Sequence, residues 1–282
     1  MKKAKMLVPY FFLLPICALA VLPIYFVLTG AFIEGGELSN KLIALSSGGK
    51  GFVQWSFIPQ YPTLHTIIEL LLDNAEFYVM FWNTVFITAA QLTGQFIVGT
   101  MAAWSLSRMR FFGRRAVFIL YTVLMLLPFS VTMVPSYLVL DKLHLLDTMW
   151  AVILPSIFSA LPVFIMARGF DSVPRALLEA AELDGAGKFG TFIRIGLPLC
   201  VPSIMAAMIL SFIEAWSAIE PAMIFIKKES LWPLSLYLQS IPPQMAGKAM
   251  AASLITLMTA ALVFLFGQKY LELGIQTSGI KE

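Results

Sequence analysis

Apolar residues run along this chain in stretches too long for a soluble core, separated by short polar breaks. Against the about 20 residues needed to cross the hydrocarbon of a bilayer, six stretches qualify: Leu7–Ile33, Phe77–Ser105, Ala116–Leu140, Met149–Ala167, Leu199–Ile226 and Ala249–Leu271. Each ends at charges or turn residues. A spanning segment must satisfy its own backbone N–H and C=O groups, so all six are predicted to be helices. Between the fourth and fifth lies a polar island, Arg168–Pro198, the most distinctive part of the chain.

Composition agrees with lipid as the main solvent. The 282 residues are 59% hydrophobic and 12% charged, with a mean hydropathy of +0.85, against roughly 45–50% apolar residues in a soluble domain. The first stretch, with Lys2, Lys3, Lys5 and Ala18-Leu19-Ala20, also fits a secretory signal. No charge follows until Glu34, however, and that run outlasts a signal core of about 7–15 residues, so a retained helix is expected. The chain therefore divides into a spanning helix at 1–33, an outer loop at 34–76, a main transmembrane domain at 77–272 containing the loop 168–198, and a tail at 273–282.

Orientation follows from Lys and Arg, which concentrate on the cytoplasmic side. Lys2, Lys3, Lys5, Arg108, Arg110, Arg114, Arg115, Arg168, Arg175, Lys188, Arg194, Lys269 and Lys281 fall on one side. Only Lys41, Lys50, Lys142, Lys227, Lys228 and Lys248 fall on the other. Both termini and the polar island are thus expected in the cytosol. This asymmetry accounts for the net charge of +3 without a nucleic-acid partner. The outer segment carries Gly35-Gly36, Ser46-Ser47-Gly48-Gly49, Pro59 and Pro62, then an amphipathic run, Leu64–Leu72, read as a surface helix at the mouth of the bundle.

Candidate chemistry is sparse. His65 and His144 fall in outer loops with no metal-ligand spacing around them. Cys17 and Cys200 lie in or beside different spans, where thiols behave as small apolar groups. Gly49-Lys50-Gly51 lacks the phosphate-cradle spacing, and no H-E-x-x-H occurs. Asp184-Gly185 is followed by no further aspartate that could complete a metal-dependent phosphatidyltransferase site. Enzyme readings fall away and a transport reading remains.

The polar island reads as two short helices. Pro174 suits a first turn, Asp171 and Ser172 are candidate caps, and Arg175–Leu183 is rich in the strong helix formers Ala, Leu and Glu. Gly185 and Gly187 stand where that helix should end, since glycine allows the left-handed geometry of a helix stop. Lys188–Gly196 forms a second short helix before Leu197-Pro198 turns the chain into the fifth span. Ala180 and Ala181 would let a partner approach the backbone closely.

The pattern Glu179-Ala180-Ala181, Gly185, Ile195 and Leu197-Pro198 resembles the cytoplasmic coupling loop of importer-type ABC transporter permeases. Ala181-Glu182-Leu183-Asp184-Gly185-Ala186 resembles the carbohydrate-permease subfamily, of which the maltose transporter's inner-membrane subunits are examples; amino-acid permeases tend to lack that Asp. Phe81-Trp82-Asn83-Thr84, Pro128, Leu154-Pro155 and the tail Gly274–Lys281 extend the similarity over Pro62–Lys281, while Glu214–Glu220 departs from the Trp-Asn pattern common in sugar permeases.

The resemblance implies an all-α integral membrane protein of the type I ABC importer fold, with six transmembrane helices and a cytoplasmic coupling-helix loop, in a bacterial or archaeal inner membrane. It implies a mono- or oligosaccharide as solute, a second homologous permease chain, two ATPase subunits and an extracytoplasmic solute-binding protein. ATP and Mg are used by the ATPase, and this chain binds no cofactor or metal. Glu179, Ala180, Ala181, Asp184, Gly185, Ala186, Ile195, Leu197 and Pro198 are the implied ATPase-coupling residues. Another polar solute, such as a polyol, glycerol phosphate or peptide, fits the same architecture. An ion-driven secondary transporter is a further alternative, though no internal duplication or charge relay is visible.

Two spans carry polar stripes. Thr84, Thr88, Gln91 and Gln95 recur at helical spacing on the second. On the fifth, Ser211, Glu214 and Ser217 share one face, and Trp216 and Glu220 another. A carboxylate near mid-membrane costs about 2.5–3.5 kcal/mol and so faces protein or water. Gln91, Glu214 and Trp216 are the candidate solute-path residues. The competing reading is interhelical hydrogen bonding, which such side chains also serve.

The charge asymmetry makes a topological prediction. Single cysteines introduced at Ser47 and Lys188 label from opposite faces of the membrane, and an impermeant thiol reagent that reached both from outside would show the orientation to be wrong.

Overall fold

The computed structural model describes residues 2–38, 59 and 61–279, with side chains described for 13–38, 59 and 61–274. The part of the outer loop around Ser46–Gly49 and the chain beyond Gly279 lie outside the described residues. Among those residues there is no strand. The helices are α1 (Lys2–Ala31), α2 (His65–Leu72), α3 (Ala75–Arg108), α4 (Arg114–Met125), α5 (Phe129–Lys142), α6 (Trp150–Ile157), α7 (Ala160–Asp171), α8 (Arg175–Leu183), α9 (Lys188–Leu199), α10 (Val201–Ser217), α11 (Glu220–Phe225), α12 (Leu234–Ser240) and α13 (Ala246–Gly279).

Four helical stretches are long and apolar enough to cross a membrane: Leu13–Ala31, Ala75–Arg108, Trp150–Asp171 and Pro243–Gly274. Two bent pairs bring the number to six if each makes one span. The second, fourth and sixth expected spans thus appear with longer limits, whereas the third and fifth are not the continuous helices expected from the apolar runs. Within Ala116–Leu140 the chain turns by 107° between α4 and α5. The residue before a proline is driven out of the helical region, and Pro128, itself extended with ψ 151°, stands as the cap of α5. The fifth run bends by 75° between α9 and α10, where Cys200 sits between Pro198 and Pro202. It also ends early: α10 stops at Ser217, Ala218 is extended, and Pro221 lies in the first turn of the separate α11.

The chain forms two compact units. One comprises residues 1–78 and 237–259. In it Ile33, Leu38, Ala246 and Met250 make a small apolar cluster, and Lys248 Nζ lies 2.9 Å from Glu69 Oε1. That hydrogen bond to Lys248 holds the Glu69 carboxyl below its usual range. The expected surface helix is α2, buried on its Thr66 and Leu70 side. Asn74 Oδ1 accepts from the Phe77 N–H at 3.0 Å and caps the start of α3.

The second unit comprises 79–236 and 260–282. Its main core joins α3, α7, α9 and α10 through Ala103, Trp104, Met166, Phe170, Phe192, Ile204 and Ala207. With little hydrophobic drive between helices in lipid, close contact depends on small residues. Gly169 of α7 shows how tight the contact with α10 is: a Cβ there would lie 2.3 Å from the Cβ of Ser203.

Gly169→Ala should therefore overpack this seam and cost roughly 1–3 kcal/mol, with Ser203→Gly in the same molecule recovering most of the loss. Thermal melting of the purified protein measures both, and additive losses in the double variant would refute the contact.

Candidate functional site

The polar island projects from the second unit as α8 and α9. Its first helix ends in a Schellman motif: the Ala186 N–H donates to the Ala181 carbonyl at 2.9 Å and the Gly185 N–H to the Glu182 carbonyl at 3.1 Å. Gly185 takes φ +80°, the left-handed geometry expected of it. Gly187, the other candidate, has φ −67°. Asp171 and Ser172 do not cap α8 as expected, because α7 continues through Asp171. The Asp171 carboxylate instead accepts from Ser107 Oγ at 2.6 Å, and Ser172 Oγ donates to the Gly169 carbonyl at 2.7 Å. The second helix runs to Leu199 rather than Gly196, through a π-helical segment Phe192–Gly196 that contains Ile195.

The expected coupling residues divide by exposure. Glu179, Ala180, Asp184, Gly185 and Pro198 are exposed; Ala186, Ile195 and Leu197 are half-buried; Ala181 is buried. Ala180 alone of the alanine pair therefore offers its methyl for close approach. Ala181 faces its own chain because the amphipathic α8 packs Leu178 into the main core. A Cβ on Gly185 would meet nothing within 4 Å, so this turn is open to a partner. Beside it stand Leu183, 90% exposed, and Phe189, 66% exposed.

The loop is braced by groups that the sequence revealed only as topological charge or as apolar filling. Arg108, at the end of α3, donates from Nε to the Phe170 carbonyl at 2.8 Å and from Nη2 to the carbonyls of Phe170 and Val173. Arg114 donates to the carbonyls of Leu106 and Ser107 at 2.6 and 2.7 Å. The Trp104 ring lies 5.2 Å from Phe170 and 5.6 Å from Phe192. These contacts tie α3, the end of α7 and α9 into one support.

A second feature is a cavity of about 610 Å³. The candidate solute-path residues Gln91 and Glu214 both line it, as do Gln95 and Ser211. Gln91 Nε2 donates to the Val152 carbonyl at 3.1 Å and Gln95 Nε2 to the Ser156 carbonyl at 2.7 Å. These bonds flank Pro155, which cannot contribute an N–H to its helix. The interhelical bonding and solute-path readings of the glutamines thus both have a structural basis.

Thr84 serves the fold, donating to the Met80 carbonyl and accepting from the Leu234 N–H. Trp216 does not present the expected stacking face to the cavity. It is 4% exposed, stacked on Phe212 at 5.4 Å and edge-on to Phe81 at 6.2 Å. The Ser211–Glu214 side of α10 meets the cavity, and Trp216, two residues on, is turned into the protein.

A bundle of spanning helices with a braced loop and a polar-lined cavity defines a membrane transport component. The family model for the inner membrane component of binding-protein-dependent transport systems matches residues 95–276, and the chain belongs to that family. It is 26% identical over 269 residues to the arabinooligosaccharides transport system permease protein AraQ of Halalkalibacterium halodurans, covering 94% of this chain and 93% of that protein. It is 30% identical over 233 residues to the multiple sugar-binding transport system permease protein MsmG of Streptococcus mutans, covering 79% and 83%. The fold matches a chain of a bacterial ABC transporter involved in import of the acidic polysaccharide alginate, with a TM-score of 0.80 at 21% identity over 95% of this chain and 96% of that one. The family resemblance read from the loop motif is confirmed.

Arg108→Gln removes the charged donor and leaves the Phe170 and Val173 carbonyls short of a partner. Hydrogen bonds to charged groups contribute about 1.5–3 kcal/mol, so the melting temperature of the purified protein should fall by several degrees. An unchanged melting curve would show that the strap carries no load.

Proposed function

We propose that this chain is the permease subunit of an ATP-driven importer, that its solute is a mono- or oligosaccharide delivered by an extracytoplasmic binding protein, and that the 168–198 loop transmits the ATPase cycle to the spans. The observation that carries the coupling role is the open, Schellman-terminated turn at Gly185, with exposed Glu179, Ala180, Leu183 and Phe189 around it on a rigid support. An exposed apolar and acidic knob of this kind suits insertion into a groove on another protein. In this reading the loop and both termini are cytoplasmic, two ATPase subunits bind beneath a pair of permease chains, and ATP and Mg act on the ATPases alone. Sugars as solutes are supported by the oligosaccharide and multiple-sugar transport names of the relatives, and by a cavity that offers amide, hydroxyl and carboxylate groups to a hydroxyl-rich ligand.

The test is uptake by reconstituted vesicles holding the full transporter. Gly185→Leu adds bulk at the open turn and strains a left-handed residue, by roughly 1–2 kcal/mol; Glu179→Lys reverses charge on the same surface without touching the turn. Each should abolish sugar uptake and weaken ATPase co-purification while the chain stays inserted. Wild-type uptake in both variants would remove the coupling role from this loop.

A further inference from the structure

Five cationic side chains, Arg108, Arg110, Arg114, Arg175 and Lys188, line a cavity of about 380 Å³ between the end of α3, the 109–113 turn and the loop helices α8 and α9. Two carboxylates, Glu179 and Glu182, share the lining with them. Arg108 and Arg114 are pinned in the same way: each donates from Nε and Nη2 to backbone carbonyls, which are neutral and leave the charge uncompensated. Among the described residues no ion pair engages Arg110, Arg175 or Lys188, and all three are exposed. Cations on this side follow from topology, but topology asks only that they lie in the loops. It does not bring residues from three separate stretches of chain to one cavity. Like charges so gathered repel one another, and an anion between them turns that repulsion into attraction. Guanidinium groups narrow the ligand class, since their planar fork of N–H donors matches the oxygens of a phosphate.

The turn beside the cavity indicates where the phosphate comes from. Residues 109–113 join the span Ala75–Arg108 to α4, the first helix of the next apolar pair. Gly113, at φ +81°, lets the chain turn back at once, so the turn stays at the membrane surface. On it Phe111 is 42% exposed and Phe112 fully exposed. Aromatic rings flanked by arginines at the end of a span suit the boundary between headgroups and acyl chains, and basic pockets at the cytoplasmic ends of spans suit anionic headgroups.

We propose that this cavity holds the phosphate of an anionic inner-leaflet phospholipid, with Phe111 and Phe112 dipping among its acyl chains. The inference rests on the cytoplasmic placement of the 168–198 loop proposed above. Arg110, Arg175 and Lys188 supply the attraction, and Arg108 and Arg114 the fixed donors. The lipid thereby fastens α8 to the end of α3 at the membrane surface.

The experiment places the assembled permease–ATPase complex in phosphatidylcholine nanodiscs doped with a photocrosslinking phosphatidylglycerol and identifies the labelled peptides by mass spectrometry. Phosphatidylglycerol should label the 109–115 and 175–188 segments several-fold more than a phosphatidylcholine probe with the same chains. Each Lys or Arg near an anionic lipid is worth about a fivefold change in affinity, so Arg175→Gln should cut the phosphatidylglycerol label about fivefold and the double variant Arg110→Gln, Arg175→Gln about 25-fold. Arg175→Lys, which keeps the charge, should retain most of it. Phe112→Ser should lower labelling by both probes alike. Equal labelling by the two probes, or full labelling in the double variant, overturns the inference. Unchanged labelling in Phe112→Ser takes the turn out of lipid and overturns it as well. If inorganic phosphate clears the label where chloride at matched ionic strength does not, the site belongs to a free anion and the lipid is wrong. Loss of ATPase co-purification in the double variant with the lipid label intact gives the cavity to an acidic group of the ATPase instead. A cysteine at Lys188 tests the placement separately: reached only from inside, with no lipid crosslink in wild type, it keeps the cytoplasmic reading and loses this site; reached from outside, it removes both.

Discussion

A backbone carbonyl or N–H in hydrocarbon has no water to bond, and this constraint organises the second unit. At several breaks in the helical ladder, a side chain from elsewhere takes up a backbone group. Gln91 and Gln95 bond carbonyls on either side of Pro155. Ser235 Oγ donates to the Ala218 carbonyl at 2.6 Å, where α10 ends. Asn83 Nδ2 reaches the Ser230 and Trp232 carbonyls, Trp232 Nε1 the Ile226 carbonyl, and the Lys227 N–H the Asp147 carboxylate. The non-helical backbone between α10 and α12 is thus held by protein donors and acceptors.

The same economy applies to the 168–198 loop. Arg108 takes the carbonyls freed at the end of α7, and the Trp104, Phe170 and Phe192 rings lock α9 to the spans. The exposed turn around Gly185 therefore stands on a braced support rather than on a loose connector. The two π-helical segments, Gln95–Gly99 and Phe192–Gly196, each place an extra residue in a turn next to these features, as such bulges frequently do at functional sites.

Three buried side-chain atoms have no hydrogen-bond partner among the described residues: Thr88 Oγ1, Gln95 Oε1 and Ser211 Oγ. The polar stripe of α3 therefore does two jobs on one helix face. Thr84 and Gln91 are spent on backbone groups, and Gln95 gives its Nε2 to the Ser156 carbonyl while its Oε1 is buried without a partner.

What the sequence by itself determined were the properties that depend on local chemistry. The apolar runs specify which segments enter lipid, since transfer free energy is a sum over residues. The Lys and Arg distribution suggests which side each loop faces, and the Glu179–Pro198 motif identifies the family. Gly185 and Gly187 could be named as candidate helix stops because glycine takes a left-handed φ without penalty; the structure gives that role to Gly185, at φ +80°. Tertiary structure alone decided the rest. The 107° and 75° bends were part of it, because hydropathy does not distinguish a straight span from a bent one. Helical spacing put Glu214 and Trp216 on different faces of α10, but which face met the cavity was set by Phe81 and Phe212, whose rings take the Trp216 side. In the same way Ala180 and Ala181 are alike in sequence, and only the docking of α8 through Leu178 turned one outward and buried the other. A periodic pattern sets the angle between two side chains, while the packing of the neighbouring helices sets their direction.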